Sequence, residues 1–165
     1  MPPTRRDCML KFAGAGIGLV AACSAGPVPI VYEYSSAETQ LPPADGIITD
    51  DALSLFNAYR LENRLETVQA DAELGRGAFE HARAMARVGR ISHDRLNARL
   101  RALSVTNGAE NVGFGQTSIL QVMEEWAASP GHRRNLLGPF SRFGMALATD
   151  VRETSVPYWA MLLAA

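Results

Sequence analysis

Two histidines and one glutamate, far apart along the chain, have surroundings that favour chemistry. His93 lies in the stretch Ile-Ser-His-Asp, Glu110 in Gly-Ala-Glu-Asn, and His132 in Ser-Pro-Gly-His-Arg-Arg-Asn. Imidazoles move protons near neutral pH and ligate metals, and a carboxylate orients a histidine or acts as a base. The residue types therefore predict a site in which two histidines and one carboxylate meet.

The surroundings of His132 allow two interpretations. Pro130-Gly131 predicts a turn after a helix that ends between Trp126 and Ser129. Turns held by a rigid scaffold often carry reactive or ligating groups. The alternative is a histidine that bonds a carbonyl and braces the turn, and spacing alone favours this alternative.

Arg133 and Arg134 follow His132 directly. Guanidinium groups in this position could bind an anion beside the histidine. The alternative is that both side chains stand in solvent at the start of a helix.

The remaining polar candidates have structural alternatives too. Ser92, His93 and Asp94 do not form a catalytic triad, because adjacent side chains point apart and a triad needs groups from different parts of the fold. His93 could instead be an ordinary turn histidine, and Glu110 a charged residue at a strand edge. His81 lies in the middle of a predicted helix, one position off the apolar stripe, and we expect a partly buried structural role.

Several function classes have no signature in the chain. The sequence contains no His-Glu-x-x-His motif, phosphate-binding loop, dinucleotide fingerprint or Gly-x-Ser-x-Gly elbow. The formal net charge is −1, and the only lysine is Lys11. This charge gives no basic field for nucleic acid, so no nucleic-acid partner is expected. The sequence leaves the oligomeric state open.

Residues 1–22 are predicted to be an export signal rather than part of the fold. A charged head is followed by the apolar run Phe12–Ala22, which is too short to span a bilayer. Val-Ala-Ala-Cys, ending at Cys23, resembles the lipobox of bacterial lipoproteins, in which the cysteine becomes the acylated first residue. The resemblance implies lipidation of Cys23; an uncleaved anchor and an ordinary cleaved signal are the alternatives.

The export route is open between two pathways. Arg5-Arg6 and a weakly hydrophobic core resemble a twin-arginine leader, whereas Cys8-Met9 departs from its usual pattern. If Cys8 is removed with the leader and Cys23 carries lipid, no thiol remains to form a disulfide. Residues 23–46, rich in proline and serine, are predicted to be a tether.

Residues 47–165 carry the pattern of one α+β domain. The predicted helices have apolar residues at helical spacing and start at capping residues; they run from Thr49–Asp51 to Glu62–Arg64, from Asp71 to Gly89, over Leu96–Leu103, and from Ser118 towards Ser129. Phe143–Ala148 and Val156–Leu163 are predicted to pair as an antiparallel hairpin, and Asn111–Phe114 to add a strand. Strands concentrated late in the chain favour an antiparallel sheet covered by helices over a doubly wound parallel sheet.

These stretches together resemble the CAP superfamily (cysteine-rich secretory, antigen 5, pathogenesis-related 1), in its bacterial SCP-domain branch. The resemblance covers residues 47–165. Its motifs are Phe56–Arg60, Ala78–Gly89 with Ile91–His93, Gly108–Gly113, Trp126 with Ser129–Leu137, and two closing stretches at Phe143–Ala146 and Tyr158–Ala160.

The resemblance implies an α-β-α sandwich with helices on both faces of an antiparallel sheet. It also implies a cleft where two histidines and two acids meet, with a divalent ion, often zinc, bound by the histidines in some members. His93 and His132 fall on the metal positions, and Glu110 with Asn111 on the cleft. The family's second acid cannot be placed, because the only acid between His93 and Glu110 is Asp94, which is adjacent to the histidine and wrongly spaced. Ala109 also stands where the family usually has glycine.

The function expected from these observations is that of an exported protein anchored by lipid to a bacterial envelope membrane. Its His/Glu cleft is expected to bind a lipid or a small envelope ligand, with zinc as the implied metal, and no residue is assigned a catalytic role. The alternative is a metal-assisted hydrolase acting on peptide or cell-envelope polymer, in which Glu110 accepts a proton from metal-bound water. An adhesion or scaffolding role with an inert cleft is a third interpretation.

Overall fold

The computed structural model describes residues 45–149 and 156–165. The predicted export signal and Cys23 lie outside the described residues, as does the predicted tether except Asp45 and Gly46. Those two residues contact the last part of the domain: Asp45 accepts hydrogen bonds from Thr149, and Gly46 pairs with Leu147. Among the described helices, none combines the length and the apolar character that crossing a membrane requires.

The described residues form five helices and five strands in the order β1-α1-β2-α2-α3-β3-α4-α5-β4-β5. The helices are α1 (Thr49–Glu62), α2 (Ala72–Val88), α3 (Leu96–Ala102), α4 (Ile119–Ala128) and α5 (Pro130–Leu136). The strands are β1 (Gly46–Ile47), β2 (Gln69–Ala70), β3 (Gly108–Phe114), β4 (Arg142–Thr149) and β5 (Pro157–Ala164).

The strands form one sheet in the order β1-β4-β5-β3. These neighbours are antiparallel, and the short β2 pairs with β4 in parallel. Both β4 and β5 are apolar almost throughout, as expected for central strands covered on both faces. β3 forms the far edge of the sheet, and this position determines where the candidate site lies.

Helices cover both faces of the sheet. Because side chains alternate along a strand, odd-numbered residues of β4 and β5 face one way and even-numbered residues the other. The odd face packs against α1, α4 and α5, with Phe143, Met145, Trp159 and Met161 in that core. The even face packs against α2 and α3, with Ala146, Ala160 and Leu162 in that core. The predicted α-β-α sandwich is confirmed.

The helix ends show which local predictions hold. Asp71 caps α2 by accepting hydrogen bonds from the backbone of Glu73 and Leu74, and Gly89 ends it in the left-handed region with φ 73°. Ser118 caps α4 as expected. The cap predicted for α1 is wrong, because the Thr49 hydroxyl instead bonds the backbone of Met145. This contact joins the start of α1 to the central strand.

The turn predicted at Pro130 and Gly131 is also wrong. Both residues belong to the first turn of α5, where Pro130 occupies the first helical position. Proline is tolerated there because its missing N–H would have no partner within the helix and its φ is already helical. His132 therefore stands on a short helix rather than on a loop.

Arg60 fixes the chain that leaves α5. Its side chain is buried, and its guanidinium donates to the backbone carbonyls of Glu66, Leu136, Gly138 and Phe140. Burial lowers the pKa of Arg60 below its ordinary value. One side chain thus holds the end of α5 against α1.

Candidate functional site

The two neighbouring residues Glu110 and Asn111 carry the architecture of the site. They lie early in the edge strand β3, and consecutive strand residues point to opposite faces of a sheet. Glu110 reaches residues of α2, of α3 and of the loop between them, whereas Asn111 reaches α5. Groups from opposite faces can meet only around a sheet edge, and β3 supplies that edge.

The Glu110 side chain is fully buried, and both carboxylate oxygens have partners. Oε1 accepts from His93 Nδ1 at 3.0 Å and lies 3.6 Å from His81 Nε2. Oε2 accepts from Arg99 Nε at 3.0 Å and Arg99 Nη2 at 2.6 Å. A buried carboxylate requires such compensation, because an unpaired charge away from water is very costly.

His93 lies in the loop between α2 and α3, and its side chain is 51% exposed. Since the carboxylate of Glu110 accepts from Nδ1, this nitrogen carries the proton and Nε2 is the polar atom left for other partners. A carboxylate bonded to one ring nitrogen fixes the orientation and tautomer of an imidazole. Glu110 therefore sets the orientation of a half-exposed histidine.

His132 lies on α5, with its ring centroid 6.4 Å from that of Trp126. Burial lowers the pKa of the His132 imidazole below its ordinary value of 6.5, and electrostatic interaction with His93 lowers it further. Both effects disfavour the charged form, so His132 is neutral at pH 7.

Two asparagines hold α5 against β3. Asn111, which is fully buried, donates from Nδ2 to the backbone carbonyl of His132 at 3.2 Å. Asn135 donates from Nδ2 to Asn111 Oδ1 at 2.8 Å and to the backbone carbonyl of Glu110 at 3.1 Å. These hydrogen bonds fix the position of His132 relative to β3, the same strand that orients His93.

A hollow of about 440 Å³ opens where these elements meet, and we call it the histidine cleft. It is lined by His93, Leu96, Gly108, Ala109, Glu110, Gly131, His132, Arg134 and Asn135. The three residues singled out from the sequence, His93, Glu110 and His132, thus line one cavity. Asn111 is absent from the lining and lies behind it, where it holds α5.

The side chains present do not fit a zinc site with three protein ligands. Zinc sites in enzymes use three protein ligands and a water. Both Glu110 oxygens are engaged by Arg99 and His93, so of the residue types that zinc prefers the lining offers two uncommitted imidazoles and no third ligand. Over residues 45–149 and 156–165, no group of three or more His, Cys, Asp or Glu side chains could hold a metal ion. Metal ligation by His93 and His132 stays a prediction.

Two residues that the sequence did not assign to the site belong to it. Arg99 neutralises Glu110, and His81 lies beside the same carboxylate while its Nε2 bonds the Ser92 carbonyl at 2.8 Å. His81 was expected to be a partly buried structural residue one position off the apolar stripe of its helix, and the structure buries it. No local pattern marks Arg99, because its partner Glu110 lies 11 residues later, in the strand that follows its helix.

A second hollow, of about 480 Å³, lies between α2 and α3. Its lining includes His81 and Arg99, two of the groups that contact Glu110, and contains neither His93 nor His132. The Glu110 network therefore separates this hollow from the histidine cleft.

The fold and the site together define a class of protein. An antiparallel sheet covered by helices on both faces is the architecture that the resemblance to the CAP superfamily implied. At its edge stand two histidines and one glutamate, where the resemblance implied two histidines and two acids. The model of the CAP family, described as the cysteine-rich secretory protein family, matches residues 53–162, and the chain belongs to this family.

Among curated proteins, the chain is similar to an uncharacterized protein of Bacillus subtilis, YkwD. The two are 25% identical over 130 residues, which is 74% of this chain and 51% of that protein. The chain thus spans about half the length of this relative.

Solved structures share the fold. An outer surface protein from Borrelia burgdorferi matches with a TM-score of 0.62 at 18% identity, covering 68% of this chain and 87% of that one. A cysteine-rich secretory protein from Staphylococcus aureus matches with 0.59 at 19%, covering 70% and 37%. An extracellular SCP-domain protein from Bacillus anthracis matches with 0.58 at 22%, covering 70% and 39%. These likenesses establish the architecture.

Proposed function

We propose that this protein is an exported CAP-domain binding protein, anchored through lipid on Cys23 to a bacterial envelope membrane, and that its histidine cleft takes up a small envelope or lipid-like ligand. The observation that carries the binding role is the cleft itself, in which His93 and His132 face a common hollow held in place by Glu110 and Asn111. Pre-organised groups around a concave surface are typical of small-molecule sites.

The lining of the cleft supports binding over covalent catalysis. Its nine residues include no serine, threonine or cysteine, so it offers no hydroxyl or thiol nucleophile. Its one carboxylate already has Arg99 and His93 as partners and is unavailable as a free base. Leu96, Ala109 and the two glycines give the cavity an apolar component suited to a ligand with hydrocarbon surface.

The envelope location is supported by the sequence at the N-terminus and by the similar proteins. Two of the proteins with a similar fold are an outer surface protein and an extracellular protein. Replacing Cys23 with alanine should move the protein from the membrane fraction to the soluble exported fraction and abolish labelling by a fatty-acid analogue. Unchanged fractionation and labelling in this variant would rule out the proposed anchor.

The binding role is tested by ligand-dependent melting of the wild type beside Gly131→Phe. A Cβ on Gly131 meets Arg134 Nη2 at 3.9 Å and no backbone outside its own helix, so this position accepts a side chain. Because Gly131 lines the cleft, we expect a phenylalanine ring there to fill it. A panel of envelope lipids and cell-wall fragments should raise the melting temperature of the wild type and leave that of the variant unchanged, because binding to the folded state alone stabilises it. A panel that shifts neither protein, or both equally, would contradict binding in this cleft.

A hydrolase is the second candidate, favoured by one specific observation. The 3.0 Å contact between Glu110 and His93 Nδ1 resembles the carboxylate–imidazole pairs that orient a general base. His132, neutral at pH 7, could accept a second proton. This candidate requires turnover of a peptide or envelope polymer that is lost in His132→Ala, with chelator sensitivity separating the metal-assisted form from a metal-free one.

A further inference from the structure

We propose that the histidine cleft binds an anionic group of its ligand, a phosphate or a carboxylate, through the guanidinium of Arg134. The inference rests on the proposed binding function and names the chemistry that the cleft recognises. It also separates the two arginines that follow His132 in the chain, since Arg134 lines the cleft and Arg133 does not.

The negative charge in the cleft is already compensated. Glu110 is the only acidic residue of the lining, and Arg99 donates two hydrogen bonds to its Oε2. The pair therefore contributes no net charge. A cationic ligand would find no uncompensated carboxylate in the lining.

The positive charge in the cleft belongs to Arg134. Arg134 is the other charged residue of the lining, and within the described ranges it has no acidic partner within 4.0 Å. Its Nη2 lies 3.9 Å from the position of a Cβ on Gly131, which places the guanidinium over the α5 turn that borders the hollow. The cleft therefore has one uncompensated charge, and it is positive.

The polar groups of the cleft can also form hydrogen bonds with an anion. A guanidinium presents donors in a planar fork that matches the oxygens of carboxylates and phosphates. His93 Nε2 and the His132 ring are further polar groups on the same lining, and each complements an oxygen-rich group when it carries a proton. A cavity of about 440 Å³ is larger than a bare oxyanion, so the anionic group belongs to a larger molecule.

The experiment follows the imidazole Cε1–H resonances of the full chain by NMR while inorganic phosphate or succinate is added at constant ionic strength. Saturable shifts of the His93 and His132 resonances are expected, with the buried His81 resonance little changed. Arg134→Gln should weaken the affinity about tenfold, the loss of a charge-assisted hydrogen-bonded contact. The tighter of the two probes identifies whether the cleft prefers phosphate or carboxylate.

Two control variants locate the effect. Arg133→Gln removes the same charge from the adjacent position outside the cleft, and we expect less than about a twofold change in affinity. Arg134→Lys retains the charge, so it should lose less affinity than Arg134→Gln. Some loss is still expected, because lysine lacks the planar fork of donors. Equal losses in Arg133→Gln and Arg134→Gln would overturn the inference, since they would indicate nonspecific attraction.

Two neutral probes, N-acetylglucosamine and a monoacylglycerol, distinguish this inference from the proposed function. Shifts at His93 and His132 with a neutral probe and none with either anion would overturn the anion inference and leave the binding cleft standing. Histidine resonances that respond to no probe would overturn both.

Discussion

Glu110 and Asn111, adjacent in β3, each hold one histidine of the site from opposite faces of the sheet. Glu110 accepts from the His93 ring at 3.0 Å, and Asn111 donates to the His132 backbone at 3.2 Å. The alternation of side chains along a strand makes this division unavoidable. An edge strand lets the two faces meet, so one dipeptide organises the whole cleft.

Loss of Arg99 should destabilise the fold. In Arg99→Met the Glu110 carboxylate stays buried without its main positive partner, and breaking a buried ion pair from one side costs about 3 kcal/mol of unfolding free energy. Urea denaturation measures the difference. Arg101→Met, at an exposed position of the same helix, is the matched control and should change stability by less than about 0.5 kcal/mol. Equal, small effects of the two substitutions would show that Arg99 does not compensate Glu110.

Stability should fall as the pH drops below 6.5. Burial lowers the pKa of His81; the charge of Glu110 raises this pKa and the charge of Arg99 lowers it. Burial also lowers the pKa of His132. The unfolded chain then takes up protons at a higher pH than the folded chain, and folding loses free energy from pH 6.5 down towards the folded pKa values.

The variant His81→Gln tests the contribution of one group to this pH dependence. The unfolding free energy is measured from about pH 7.5 to about pH 5, the range in which histidines titrate. It should depend less on pH in this variant than in the wild type. An unchanged slope in His81→Gln would mean that His81 titrates alike in the folded and unfolded states.

Asn135→Ala should disturb α5 without removing any charge. The substitution leaves the Glu110 carbonyl and Asn111 Oδ1 without their donor, which costs about 1–3 kcal/mol for buried polar groups. The NMR resonance of His132 should shift in the absence of ligand. Asn97→Ala, at an exposed position on α3, is the control and should move neither quantity. A stable Asn135→Ala with an unmoved His132 resonance would contradict the role given to the asparagine pair.

Gly144→Ala should damage the packing of α2 on the sheet. A Cβ at Gly144 would overlap the backbone of Leu74 and Gly75 in the first turn of α2, which cannot move aside as a flexible side chain would. Overpacking of this kind costs about 3 kcal/mol or prevents folding. Gly46→Ala, where nothing lies within 4 Å, should be neutral within about 0.5 kcal/mol by thermal melting. Similar melting temperatures of the two variants would refute the close approach.

Much of the fold was predictable because its signals are local. The cap at Asp71, the stop at Gly89 and the apolar runs of β4 and β5 each act through neighbouring residues. The failures have equally local causes. Pro-Gly is typical of a turn, yet proline also suits the first position of a helix, which is how α5 begins. The two-residue strands β1 and β2 are too short to leave a periodic pattern.

The site was predictable only in part. The positions of His93 and His132 along the chain did not indicate that they lie close together. That both line one cleft was expected only from the resemblance to the CAP superfamily. Arg99 was missed because its partner is set by the packing of α3 on β3, which no sequence pattern records. Sequence reasoning placed one acid, Glu110, in the cleft, whereas the guanidinium that satisfies this carboxylate was visible only in the structure.

The most direct test of the binding cleft is the identification of molecules that accompany the protein from the envelope. Full-length wild type and Gly131→Phe are purified from membranes under the same conditions with a chelator present, and the extracts are compared by mass spectrometry. The account predicts a small molecule bearing a phosphate or a carboxylate that accompanies the wild type and is missing from the variant. Identical extracts from the two proteins would contradict it.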